Sequence, residues 1–207
     1  MNPGRHLDHF DQLYRRDADP WQVHTRWYEQ RKQALLLAAL PHQRYRRALE
    51  TACGTGALTA ALALRCDELL ACDASDTAVC IAKAHVVSQP RASQVRIERR
   101  TLPRDWPAGR FDLVVIAEWA YYLPAADLDA LARACHTSLT PEGCLVACHW
   151  RPDFHDRCHA TAALHARLGE GPGWARLVHH EEEDFLLDVW SPSDVSVARG
   201  AESAPAA

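Results

Sequence analysis

Two carboxylates stand where a ligand would meet them. Glu50 closes the short apolar run Ala48-Leu49 and is followed by Thr51-Ala52-Cys53-Gly54-Thr55-Gly56. A run ending in an acid, then a tight Gly-x-Gly loop, then an Ala/Leu-rich stretch reads as strand, loop and helix, with bare backbone exposed at the loop. Asp73 ends the next apolar run, seventeen residues after Gly56. A carboxylate at that place can chelate both hydroxyls of a ribose. Plainer readings stand beside these: an ordinary turn at Gly54 and Gly56, and an N-terminal helix cap at Asp73.

A dinucleotide fingerprint needs a third glycine three residues after the second, so that the helix can seat a pyrophosphate. That position is Thr59, which disfavours a nicotinamide-dependent oxidoreductase. The Glu50 carboxylate would repel a pyrophosphate, yet it can accept hydrogen bonds from a cationic amino-acid group. S-adenosylmethionine carries such a group and no phosphate. Glu118 follows the apolar run Phe111–Ala117 and would project from a strand end. A solvated loop glutamate is the alternative there.

For these groups to meet, strands and helices must alternate. Residues 1–22, broken by Asp19-Pro20-Trp21, read as a short helix or arm and a turn. Trp27, Tyr28, Arg31, Leu35, Leu36 and Ala39 space an amphipathic helix over 25–40, stopped by Pro41. Strands are expected at 46–51, 68–73, 95–98, 111–117 and 144–150, with Pro141-Glu142-Gly143 turning into the last of these. Helices are expected at 57–65, 76–88 (capped by Ser75), 125–139 and 155–168. Residues 175–180 and 185–190 read as a hairpin around Glu181–Asp184, a solvated turn or an attractor for a cationic substrate. This alternation predicts an α/β chain with a parallel sheet, helices on both faces and ligands along the strand C-termini. Residues 191–207 are rich in Ser, Ala and Pro and read as a frayed tail.

The 207 residues suffice for one such domain and are too few for two. We expect a single domain over 1–190, with an arm at 1–44, a core at 45–150 and a C-terminal helix and hairpin at 151–190. The net charge of −4 gives no reason to expect nucleic acid or an anionic membrane as partner. No apolar run approaches the roughly 18 residues that span a bilayer. The eight cysteines form no C-x-x-C pair, and several lie in apolar runs. A cytoplasmic, reduced, soluble protein is expected. No metal is expected. His155 and His159 would share a predicted helix face with Cys158 beside them, but they read as a polar surface.

Glu50-x-x-Cys53-Gly54-x-Gly56, Asp73, Phe111-Asp112-Leu113-Val114-Val115 and Leu139-Thr140-Pro141-Glu142-Gly143-Cys144-Leu145 resemble, in order and spacing, class I S-adenosylmethionine-dependent methyltransferases. The resemblance covers residues 45–150. It implies a Rossmann-like doubly wound sheet of seven strands with the last antiparallel, that end supplied by the C-terminal hairpin. Ala52 stands where the family more often has glycine, and is tolerable at negative φ. Phe10-Asp11-x-x-Tyr14, Asp19-Pro20-Trp21, Trp27-Tyr28-Glu29-x-Arg31-Lys32, Glu118-x-x-Tyr121-Tyr122-Leu123 and His149-Trp150-Arg151 resemble, more narrowly, the nodulation protein S branch. That branch methylates the free amine of a deacetylated, chitin-derived sugar, and similar sequences partner sugar deacetylases.

The resemblance implies S-adenosylmethionine as cofactor, leaving as S-adenosylhomocysteine. Glu50, Ala52, Gly54, Gly56, Asp73, Ala74 and Glu118 would hold it, with Thr101, Leu102 and Pro103 around the adenine. Trp21, Tyr28 and Arg31 would close over it, Arg31 pairing with the methionine carboxylate. If a general base is used, Glu118 or His149 would serve; Tyr122, with Tyr121, would line the methyl channel or stack on a sugar. The acceptor is expected to be a small molecule, an amino sugar or oligosaccharide amine. The alternatives are another small acceptor (hydroxyl, thiol or metalloid) or a cofactor-binding subunit of a deacetylase or glycosyltransferase.

Overall fold

The computed structural model describes residues 3–194 and 196–202. Seven strands form one sheet: β1 (Tyr45–Glu50), β2 (Cys66–Asp73), β3 (Val95–Arg99), β4 (Phe111–Ala117), β5 (Leu139–Trp150), β6 (Ala175–Glu181) and β7 (Phe185–Ser191). Their order is β3-β2-β1-β4-β5-β7-β6. The first five run parallel, and β7 lies antiparallel to both β5 and β6. The strand order reverses between β1 and β4, which opens a crevice at their C-terminal ends.

Among the described residues seven α-helices surround the sheet: α1 (Pro3–Arg16), α2 (Trp27–Ala39), α3 (Ala57–Ala63), α4 (Asp76–Val86), α5 (Ala125–Ser138), α6 (Thr161–Gly169) and α7 (Val197–Glu202). The unbroken run of β4 needs both faces covered, and both are. Val114 and Ile116 pack with Leu131 of α5 and Leu164 of α6, while Leu113 and Val115 pack with Leu36 of α2 and Leu62 of α3. Ser75 caps α4 as expected, its side chain accepting from the Ala78 amide at 3.1 Å.

Three boundaries differ from expectation. β5 begins at Leu139, because Thr140–Gly143 bulge within the strand: Phe111 pairs with Leu139 and Leu113 with Cys144. α6 begins at Thr161, so His155, Cys158 and His159 lie in turns before it and share no helix face. There the Arg157 side chain donates to the carbonyls of Arg151, Pro152 and His159, which holds the segment in turns. The tail is not irregular from its start: Ser191 ends β7 and α7 follows, while 203–207 lie outside the described residues. All eight cysteines are free, and no helix among the described residues is long and apolar enough to cross a membrane.

Candidate functional site

A cavity of about 930 Å³ lies over the C-terminal ends of β1, β2, β4 and β5. The glycine loop forms its floor. Gly54 takes φ +51, and a Cβ there would stand 2.9 Å from the Tyr14 hydroxyl, so glycine serves both the backbone and the approach of α1. Gly56 takes φ +83 behind the loop, where a Cβ would crowd Ala82 of α4 at 3.1 Å. It sets how α3 leaves the loop and does not line the cavity. Ala52 does line it, beside Glu50.

The two sequence-predicted carboxylates face this floor. Thr59 donates to Glu50 Oε2 at 2.6 Å. The residue that replaces a fingerprint glycine thus satisfies the buried acid. Burial pushes the Glu50 carboxyl up to about 7, partly offset by that hydrogen bond. Asp73 accepts the Gly54 amide at 3.0 Å and the Ser75 amide at 2.9 Å. Burial raises its carboxyl above the usual value against the lowering by these amides. Ala74, Thr101, Leu102 and Pro103 form the adjoining wall.

Glu118 closes the other end. It takes φ +60, an uncommon conformation for a residue with a side chain, immediately past β4. Its Oε1 accepts Lys32 Nζ at 2.6 Å, and its Oε2 accepts the Tyr121 hydroxyl and the Trp150 amide, both at 2.9 Å. The carboxylate is thereby committed to three donors, so its geometry is that of an anchor between β4, β5 and α2. Tyr122 lines the same end, edge-on to Phe10 of the arm at 5.0 Å between ring centres.

The arm covers the cavity through contacts that its sequence only hints at. Asp11 accepts from the Ser75 hydroxyl at 2.6 Å and the Thr77 amide at 3.2 Å, docking α1 on the start of α4. Tyr14 and Phe10 both contact Trp21, which lines the cavity as expected. Phe10, Asp11 and Tyr14 carry an i, i+4 signal, but nothing in their spacing says that they face a ligand. Arg26, Glu29, Lys32 and Gln33 also line the cavity and had no assigned role.

Besides Gly56, three expected site residues stand outside the cavity. Arg31 donates through both terminal nitrogens to Glu182, each at 2.7 Å, and does not reach the cavity. Its partner's carboxyl is held down to about 2 by that pairing. Two of the four acids of the turn are thus occupied, since Glu181 is likewise bound to Arg151. Tyr28 packs edge-on against Trp150 and Phe185 and supports the cavity wall from behind. The helical period explains both: the stripe Arg26, Glu29, Gln33 and Leu36 faces the cavity and turns Tyr28 and Arg31 aside.

His149 is the third. It is fully buried on the opposite face of β5, because Cys148 and Trp150 take the cavity side and successive strand side chains alternate. Its Nδ1 lies 2.9 Å from His165 Nε2, and His165 Nδ1 lies 2.8 Å from Asp188 Oδ2. Burial pushes both histidines below the ordinary value. Among the described residues no group of three or more His, Cys, Asp or Glu side chains is placed to hold a metal.

Known proteins match this arrangement. The family described as a methyltransferase domain matches residues 48–143. Nodulation protein S of Bradyrhizobium diazoefficiens is 29% identical over 148 residues, covering 70% of this chain and 69% of its own. A Pseudomonas syringae protein of known crystal structure, assigned as a methyltransferase, is 47% identical, with TM-score 0.70 over 80% of this chain and 99% of that one. The N-methyltransferase NodS from Bradyrhizobium japonicum, solved with S-adenosylhomocysteine, superposes with TM-score 0.78 at 22% identity over 90% of this chain and 98% of that one. The chain belongs to the class I methyltransferase family, with nodulation protein S among its relatives.

Proposed function

We propose that this methyltransferase binds S-adenosylmethionine in the cavity and methylates a free amine on a deacetylated amino sugar or a related small molecule. One observation carries the cofactor assignment. Two carboxylates, the buried Glu50 and the half-buried Asp73, flank a glycine loop whose backbone is open to a ligand. That pair of acceptors suits a cationic amino group and a ribose diol, and it opposes a pyrophosphate. Glu50 takes the amino group, Asp73 the ribose, and Ala74 with Thr101, Leu102 and Pro103 the base. Arg26, which has no acidic partner among the described residues, takes the carboxylate role first given to Arg31. Trp21 and Tyr14 shut out water from above. Bound there, the cofactor supplies a sulfonium-activated methyl group for in-line displacement.

The chain's own task is to hold the acceptor in line and at short range, and that accounts for most of the expected rate gain. Glu118 is committed to three donors and His149 lies behind the sheet, so no free base faces the cavity from either position. An amine that arrives neutral needs none. The amine reading is supported by the kinship with nodulation protein S and by the N-methyltransferase neighbour. A sugar deacetylase acting earlier in the cytoplasm would supply such an amine.

Two measurements test this. Calorimetry should show micromolar or tighter binding of S-adenosylhomocysteine and none of NAD. Labelled methyl transfer should reach chitosan oligomers but not fully acetylated chitin oligomers. Equal transfer to both would remove the free amine as target and favour a hydroxyl acceptor.

A further inference from the structure

We propose that Lys32 sets the protonation state of the acceptor, keeping an amine bound beside Glu118 in its neutral, nucleophilic form. The proposal rests on the amine reading above. Lys32 is one of two lysines in the chain and is 6% exposed. Its Nζ lies 2.6 Å from Glu118 Oε1 and 2.9 Å from Glu29 Oε2, and 4.9 Å above the centre of the Tyr28 ring. Glu29, Lys32 and Glu118 all line the cavity. Burial alone would favour loss of the lysine proton, but Glu118 and Glu29 outweigh it and hold the ammonium above its ordinary range.

The charges decide what the acceptor experiences. Two carboxylates and one ammonium leave the cluster at −1, and a sulfonium cofactor brings the site to zero. An amine entering a neutral site has no reason to retain a proton. Without Lys32 the same site stands at −1 and favours the ammonium form, which has no lone pair to attack with. One unit charge at contact range, at the effective dielectric of a partly buried site, moves a pKa by about 1–2.

Other groups face the cluster. From α2 come Tyr28 and Arg26, whose guanidinium lies 5.4 Å from the Tyr28 ring centre. From the turn after β4 come Tyr121 and Tyr122, from β5 Cys148, and from α5 Asp127. Burial pushes the three tyrosine hydroxyls and the Cys148 thiol up, so they stay neutral. The charge on the site therefore rests with Lys32, its two carboxylates, Arg26 and Asp127.

The test compares the wild type with Lys32→Met, Lys32→Arg and Glu29→Gln. The readout is the pH profile of kcat/KM for methyl transfer to chitosan oligomers. Lys32→Met should move the acidic limb up by about one pH unit, which is roughly a tenfold loss near neutrality that recovers at higher pH. Glu29→Gln should move the limb the opposite way, and Lys32→Arg should leave it in place. Calorimetry supplies a readout apart from activity. Acceptor binding to the wild-type complex with sinefungin, a non-transferring cofactor analogue whose protonated amine stands in for the sulfonium charge, should release a proton, seen as a dependence on buffer ionisation heat, and Lys32→Met should abolish that release. Limbs unmoved in both charge variants, with activity merely lowered at every pH, would overturn the proposal. So would a loss of S-adenosylhomocysteine affinity in Lys32→Met with the limb unmoved, which would make Lys32 a cofactor contact. If the wild type transfers methyl to no amine, the amine reading fails and this proposal with it. Transfer by the wild type with unmoved limbs refutes the role of Lys32 alone.

Discussion

The Gly54 amide donates to Asp73 Oδ2 at 3.0 Å, so the loop after β1 and the carboxylate ending β2 form one unit. Asp73 thus shapes the loop as well as facing the cavity. Asp73→Ala should weaken S-adenosylhomocysteine binding by about 1–3 kcal/mol, the range for hydrogen bonds to a charged group. Isothermal calorimetry reads this directly. Unchanged affinity would leave Asp73 with its loop and capping contacts alone.

Two arginines of the arm separate by position. Arg31 is occupied by Glu182, while Arg26 lines the cavity. Arg31→Ala should leave cofactor affinity unchanged. Arg26→Ala should weaken it by about 1 kcal/mol, a figure already reduced for solvent screening of an exposed guanidinium. The reverse ranking would restore the carboxylate role to Arg31.

Glu50 gives a pH dependence of definite sign. Its folded pKa of about 7 stands above the ordinary 4.5. Between these values the folded state binds more protons than the unfolded one. Stability of the unliganded protein should therefore fall as pH rises from 4.5 to 7, by about 3 kcal/mol at full extent. Affinity for S-adenosylhomocysteine should move the other way, tightening across neutrality as Glu50 ionises to meet the cationic amino group. Glu50→Gln should flatten both trends in thermal melts and calorimetry; a variant with the wild-type slopes would assign the titration elsewhere.

The buried chain His149, His165 and Asp188 predicts a second dependence. Burial lowers both histidines from 6.5, so they must take up protons on unfolding as pH falls below that value. At Asp188 burial acts upward, but the hydrogen bonds from His165 and His179 outweigh it and lower the carboxyl from 3.8. The histidines therefore cost stability as pH falls below 6.5, and the contribution of Asp188 is lost further down, as pH falls below 3.8. His149→Asn keeps a donor near the Nδ1 position. It should cost about 1–2 kcal/mol through the cavity it leaves and should shallow the slope below pH 6.5. Methyl transfer should stay within about threefold of wild type, because His149 does not reach the cavity. A hundredfold loss with native stability would return it to a base role.

The sequence by itself determined the alternation of elements, the acid–glycine loop, the second acid and the missing third glycine. These are local signals, carried by period and by residue type at strand ends, and the residues of the cavity floor were legible in them. The tertiary structure alone decided which way each remaining side chain points. His149 is read correctly as belonging to a strand C-terminus, but its face follows from the pairing of β5 with β7 and from α6 behind it. Arg31 and Arg26 are equally basic in sequence; the packing of α2 on the sheet sends one to Glu182 and the other to the cavity. Lys32 and Glu118 are 86 residues apart and meet only because α2 crosses the end of β4. Long-range contact between charges leaves no period in a chain, so only the fold can reveal it.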